Sequence, residues 1–112
     1  MAANSDNARR HRRQTVRILV DYQHAGGVSC DYATTLGAGG LFMECDEPLP
    51  KGTLVKLRFR LPHSDDLHEL EGRVSWLRDA VTGDRTLAPG MGVQFTDVAA
   101  AVPLARELDH IE

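Results

Sequence analysis

The residues of this chain best placed to do chemistry are arginines. Arg12, Arg13 and Arg17 make an Arg-Arg-x-x-x-Arg run at the entry to an apolar segment, with Arg9 and Arg10 just ahead. Paired guanidiniums suit phosphate oxygens and the Hoogsteen edge of guanine, and their flat faces stack on purine rings. Arg9 and Arg13 repeat the same spacing, so the run alone has low specificity. Other chemistries find no constellation. The five histidines, at 11, 24, 63, 68 and 110, never fall at the HxH or HxxxH spacings that suit a metal. No Gly-x-Ser-x-Gly elbow holds a nucleophile, and Asp65-Asp66 read as loop acids rather than a tuned carboxylate pair. Cys30 and Cys45 are too few and too far apart for a metal knuckle. These readings predict a non-enzymatic protein without metal or cofactor.

Charge separates along the chain. Residues 1–17 carry five arginines against Asp6, a net +4, while residues 18–112 carry eight bases and fifteen acids, a net −7. A basic arm on an acidic body implies an anionic ligand met by the arm, not a whole surface built for nucleic acid. The competing reading is a solvated tail that aids solubility. With 112 residues and 42% hydrophobic content, one domain with a modest core is expected. Apolar runs such as Ile18-Leu19-Val20 are too short to span a membrane or to serve as a signal peptide. A cytoplasmic protein with reduced cysteines and no membrane insertion follows as the expectation.

The elements that must position the arginines are strands. Residues 1–11 lack apolar periodicity and read as a flexible basic leader, leaving 12–112 as the folded domain. Val16, Ile18, Val20 and Tyr22 alternate with polar residues and predict a first strand. A second is expected to turn Val28, Cys30 and Tyr32 inward, and a third Leu41, Met43 and Cys45, across a corner at Gly37-Ala38-Gly39-Gly40. A corner centred between Gly37 and Ala38 sets Cys30 opposite Cys45 as neighbouring free thiols. The corner glycines, Gly40 above all, are expected to supply positive φ.

Val55, Leu57, Phe59 and Leu61 define the fourth strand; Leu70, Gly72, Val74 and Trp76 the fifth; Met91, Val93 and Phe95 the sixth. Pairing Phe59 with Leu70 and Leu57 with Gly72 places Arg60 against Glu69 and Arg58 against Glu71, which neutralises that basic stripe locally. Trp76, Phe59 and Phe95 read as core. Leu104, Leu108 and Ile111 at i, i+4, i+7 predict a closing helix with Pro103 at its first position. Six strands without intervening helices exclude a βαβ layout, and a six-stranded antiparallel barrel leaves no open edge.

The Arg-Arg-x-x-x-Arg run followed by Leu36-Gly37-Ala38-Gly39-Gly40-Leu41-Phe42-Met43 resembles the PilZ domain family. So do Pro50-Lys51-Gly52-Thr53, Gly72-Arg73-Val74-Ser75-Trp76 and Gly90-Met91-Gly92-Val93-Gln94-Phe95, in that order. The likeness covers about residues 12–111. It implies a six-stranded barrel with a C-terminal helix and a bacterial receptor for cyclic di-GMP, whose arginine arm wraps the ligand against the barrel. The family's second motif is (Asp/Asn)-x-Ser-x-x-Gly. Aligning its last glycine with Gly40 puts Thr35 in place of Asp or Asn and Gly37 in place of Ser. Two lost hydrogen bonds of ~0.5–1.5 kcal/mol each, or more where a charge is involved, would weaken binding about tenfold to several hundredfold.

The resemblance thus assigns Arg12, Arg13, Arg17, Thr35, Gly37 and Gly40 to a cyclic di-GMP site. On this reading a stand-alone PilZ-type domain regulates an unidentified protein partner, in motility or exopolysaccharide output. Two alternatives stay open: an adaptor that keeps the fold and has lost the ligand, and a small-barrel nucleic-acid binder using the same arm.

Overall fold

The computed structural model describes residues 13–78 and 88–109. Six antiparallel strands form a closed barrel in the order β1-β2-β3-β6-β5-β4, followed by one helix. The strands are β1 (Arg13–His24), β2 (Gly27–Gly37), β3 (Gly40–Glu44), β4 (Leu54–Arg60), β5 (Leu67–Arg78) and β6 (Gly90–Phe95). The helix, α1, spans Val98–Asp109. The expected leader 1–11, Arg12 and Ile111 lie outside the described residues.

The expected alternation holds where the strands are regular. Val55, Leu57 and Phe59 of β4 are buried between exposed Lys56, Arg58 and Arg60. Leu70 and Val74 of β5 and Met91 and Val93 of β6 complete that side of the core, with Leu36, Leu41 and Met43 opposite. Each such side chain contributes about 1.5–3 kcal/mol by leaving water.

Three bulges change the facing. Between Ala33 and Thr35 the β2–β3 register shifts and Thr34 becomes an extra residue. Because side chains alternate, one extra residue turns everything before it to the opposite face. Val28, Cys30 and Tyr32 therefore point outward, while Ser29 and Asp31 turn toward the interior side. Both are satisfied: Tyr22 donates its hydroxyl to Asp31 at 2.5 Å, and Ser29 Oγ lies 3.0 Å from His24 Nε2. Cys30 is exposed and Cys45 buried, so the two free thiols do not face each other as the symmetric corner required. Burial, with Asp31 and Asp46 nearby, pushes the Cys45 thiol up to about 11. A matching irregularity between Thr15 and Ile18 keeps β1 in step with β2.

The third bulge lies between Val74 and Trp76 on β5, where Ser75 is extra. Trp76 thus sits on the outer face, 42% exposed and stacked on Phe42 with ring centroids 5.0 Å apart, instead of in the core. The β4–β5 hairpin also differs from expectation by two residues. Leu57 faces Leu70 and Arg58 faces Glu69, because the loop after Leu61 uses two fewer residues than the symmetric pairing assumed. The Arg58–Glu69 pair, 3.2 Å apart and solvent-exposed, contributes little to stability.

The helix starts earlier than expected. Asp97 caps it, its carboxylate accepting from Ala100 N at 3.1 Å, so Pro103 lies inside the helix. Leu104 and Leu108 bury one face against the barrel. At the other end Glu107 accepts hydrogen bonds from Ser64 and from His68 Nε2, the latter at 2.5 Å, which ties the helix to β5 and the loop before it. The Ser64 hydroxyl first, then His68, holds the Glu107 carboxyl below the usual carboxylate range. A depressed folded-state pKa gives stability that is present above the unfolded value and is lost as pH falls through the folded one. Wild type should therefore exceed Glu107→Gln in melting temperature above about pH 5, and the gap should close below about pH 4. Thermal melts across that range measure it.

Candidate functional site

The register sets the two motifs side by side. Arg13 pairs with Gly37 and Thr15 with Thr35 across β1 and β2, and Gly37 pairs in turn with Gly40 on β3. Gly40 pairs with Gln94 on β6, and Gln94 with Arg73 on β5. One transverse row therefore runs Arg13, Gly37, Gly40, Gln94, Arg73 across five strands. Two neighbouring glycines leave a low floor in the barrel wall at its centre.

Over this floor lies a cleft of about 510 Å³, lined by Gly37, Gly39, Gly40, Ser75, Trp76 and Gln94 among others. Trp76 covers Gly92 so closely that a Cβ there would overlap the indole. Phe42 is buried, in contact with the Trp76 ring and with the Arg78 guanidinium, whose Cζ stands 4.2 Å from the Phe42 ring centroid. The indole that borders the cleft is thus backed by the Phe42 ring. The glycines do not work through positive φ as expected; among the described residues that conformation falls on Gly27, Gly52 and His63. Gly40 is needed for close approach, since its Cβ would overlap the Val93 carbonyl oxygen.

Of the six residues assigned from sequence, Arg13, Thr35, Gly37 and Gly40 come together in the sheet register, and Arg12 lies outside the described residues. Arg17 stands off this row. Its Cζ lies 4.2 Å from the Tyr32 ring centroid, a cation–π contact that fixes the guanidinium on the outer wall between β1 and β2. Thr35 is half-buried. Sequence reasoning missed Trp76 and Gln94 as cleft residues. The available signal was the glycines at 90 and 92, alternate positions of β6 where an overlying ring needs room.

A family model described as PilZ domain matches residues 7–110. The chain belongs to the PilZ domain family. Members are typically non-catalytic receptor domains. Solved structures share the barrel. The inhibitor of motility MotI/DgrA of Bacillus subtilis superposes with a TM-score of 0.66 at 16% identity, covering 89% of this chain and 51% of that one. This chain thus spans about half the length of MotI/DgrA. The PilZ domain of CeSA from a cellulose-synthesizing bacterium gives 0.62 at 22% identity, over 88% of this chain and 98% of that one. The PilZ domain of Escherichia coli YcgR, solved with c-di-GMP, gives 0.66 at 13% identity, over 91% and 86%. At these identities the likeness concerns the PilZ fold. No curated protein sequence matches the chain. Among the described residues, no helix of this PilZ domain is long and apolar enough to cross a membrane.

Proposed function

We propose that this PilZ domain binds cyclic di-GMP and passes the signal to a protein partner, in motility or exopolysaccharide control. Arg12, Arg13 and Arg17 would hold the phosphates and the Hoogsteen edge of guanine, and Thr35, Gly37 and Gly40 would line the barrel side. The observation that carries this reading is the β1–β2 register, with Arg13 opposite Gly37 and Thr15 opposite Thr35. It sets the Arg13 backbone beside Gly37, which lines the glycine-floored cleft. Support also comes from the YcgR PilZ domain, whose structure was solved with c-di-GMP.

A second reading, an adaptor that works without the ligand, is favoured by one feature. Thr35 and Gly37 replace a planar acceptor and a hydroxyl, and Gly37 offers no side chain to a base.

Trp76 separates the readings, because it is the one tryptophan of the chain and borders the cleft. Its emission should change saturably on titration with cyclic di-GMP and stay unchanged with duplex DNA. An emission unaffected by cyclic di-GMP, in a folded sample, favours the adaptor. A change with duplex DNA that fades steeply with salt points instead to nucleic acid.

A further inference from the structure

The barrel closes between β1 and β4 over only three residue pairs: Asp21 with Arg58, Tyr22 with Leu57, and Gln23 with Lys56. In the same register Val20 would next meet Phe59, and Leu19 would meet Arg60, but pairing stops short of them. β1 nevertheless runs on to Arg13, paired there with β2 alone, and β4 runs on to Arg60, paired with β5 alone. Among the described residues, each strand thus keeps an edge here that no neighbouring strand pairs.

A cleft of about 430 Å³ opens along this seam, between Arg17, Ile18 and Leu19 on one side and Arg58, Phe59 and Arg60 on the other. Leu19 is 51% exposed there, and Leu67, also in the lining, is 37% exposed. Arg17, Arg58 and Arg60 all line this cleft. Asp21 lies in the lining, and Glu69 offsets Arg58 at 3.2 Å. Among the described residues the other two are oriented without carboxylates: Arg17 rests on the Tyr32 ring, and Arg60 Nε donates to the Asp65 carbonyl at 3.3 Å. Their positions are set while their charges remain available.

We propose that this seam docks an extended acidic segment of a partner protein. Such a segment would add to the free edge of β1. Its carboxylates would meet Arg17 and Arg60, and its alternate apolar side chains would cover Leu19 and Leu67. A free phosphate would satisfy the arginines but leave both the backbone edge and the exposed leucines unused. A second copy of this chain would bring its own arginine-bearing edge, so like charges oppose self-pairing. Although Arg17 also belongs to the proposed ligand site, recognition of carboxylates here does not require cyclic di-GMP. The two readings can therefore fail separately.

The test uses the full chain, 15N-labelled and free of cyclic di-GMP, titrated with a blocked hexapeptide of alternating Glu and Val. Parallel titrations use the Lys-Val counterpart and inorganic phosphate. The expected result is saturable amide shifts confined to residues 17–20 and 58–60 with the Glu peptide alone. Arg17→Glu/Arg60→Glu should weaken that peptide by about tenfold or more and gain binding to the Lys peptide. Both side chains are exposed, so core resonances of the double variant should overlay the wild type. Should they not, Arg60→Glu alone must show the same reversal. No shifts at millimolar peptide would overturn the proposal and leave the arginines as guards of an unpaired edge. So would equal response to the Lys peptide, identical shifts with phosphate, or shifts scattered over the barrel.

Discussion

Gly40→Ala is expected to lower the unfolding free energy by about 3 kcal/mol, the upper end for overpacked sites. The added Cβ would overlap the Val93 carbonyl oxygen. The clash is with backbone, so no rotamer change relieves it, and β3 and β6 must separate where Gly40 pairs with Gln94. Gly39→Ala is the matched control. A Cβ there meets nothing within 4 Å, so its effect should stay within about 0.5 kcal/mol. Urea midpoints of the two variants measure the difference. A Gly40→Ala protein as stable as Gly39→Ala would mean that β3 and β6 are not as close as described.

Thr35→Asp together with Gly37→Ser is expected to raise cyclic di-GMP affinity about tenfold or more, since it supplies two hydrogen-bonding groups. At Gly37 the change meets less resistance than a corner glycine would offer, because Gly37 is not among the residues with positive φ. Thr35 sits in the ladder between Thr15 and Phe42, so its replacement keeps both backbone pairings. Calorimetric titration of wild type and double variant gives the ratio. A folded double variant with unchanged affinity would show that the barrel side of the site needs more than these two side chains.

The barrel was legible in the sequence because β4 from Val55, β5 from Glu69 to Val74 and β6 alternate by residue type. What stayed hidden was each point where one strand gains a residue on its neighbour. Thr34 and Ser75 are ordinary strand residues, and nothing in their chemistry announces a bulge. Yet Thr34 turns Cys30 and Tyr32 outward, and Ser75 takes Trp76 from the expected core to the rim of the cleft. The closing helix shows the same limit. Leu104 and Leu108 carried its periodicity, but Asp97 as cap became visible only through its bond to Ala100 N. For the site, the sequence held the residues and the register supplied their adjacency. Arg13 and Gly37 are far apart along the chain and neighbours across β1 and β2.

The central claim is that the arginine run and the glycine-floored cleft form one binding site for cyclic di-GMP. Isothermal calorimetry of the wild type beside Arg13→Ala/Arg17→Ala tests it most directly. The account predicts saturable heat for the wild type and a loss of affinity of about a hundredfold or more in the double variant, whose melting temperature stays near wild type. Equal binding by the two proteins, or no heat from folded wild type, would contradict it.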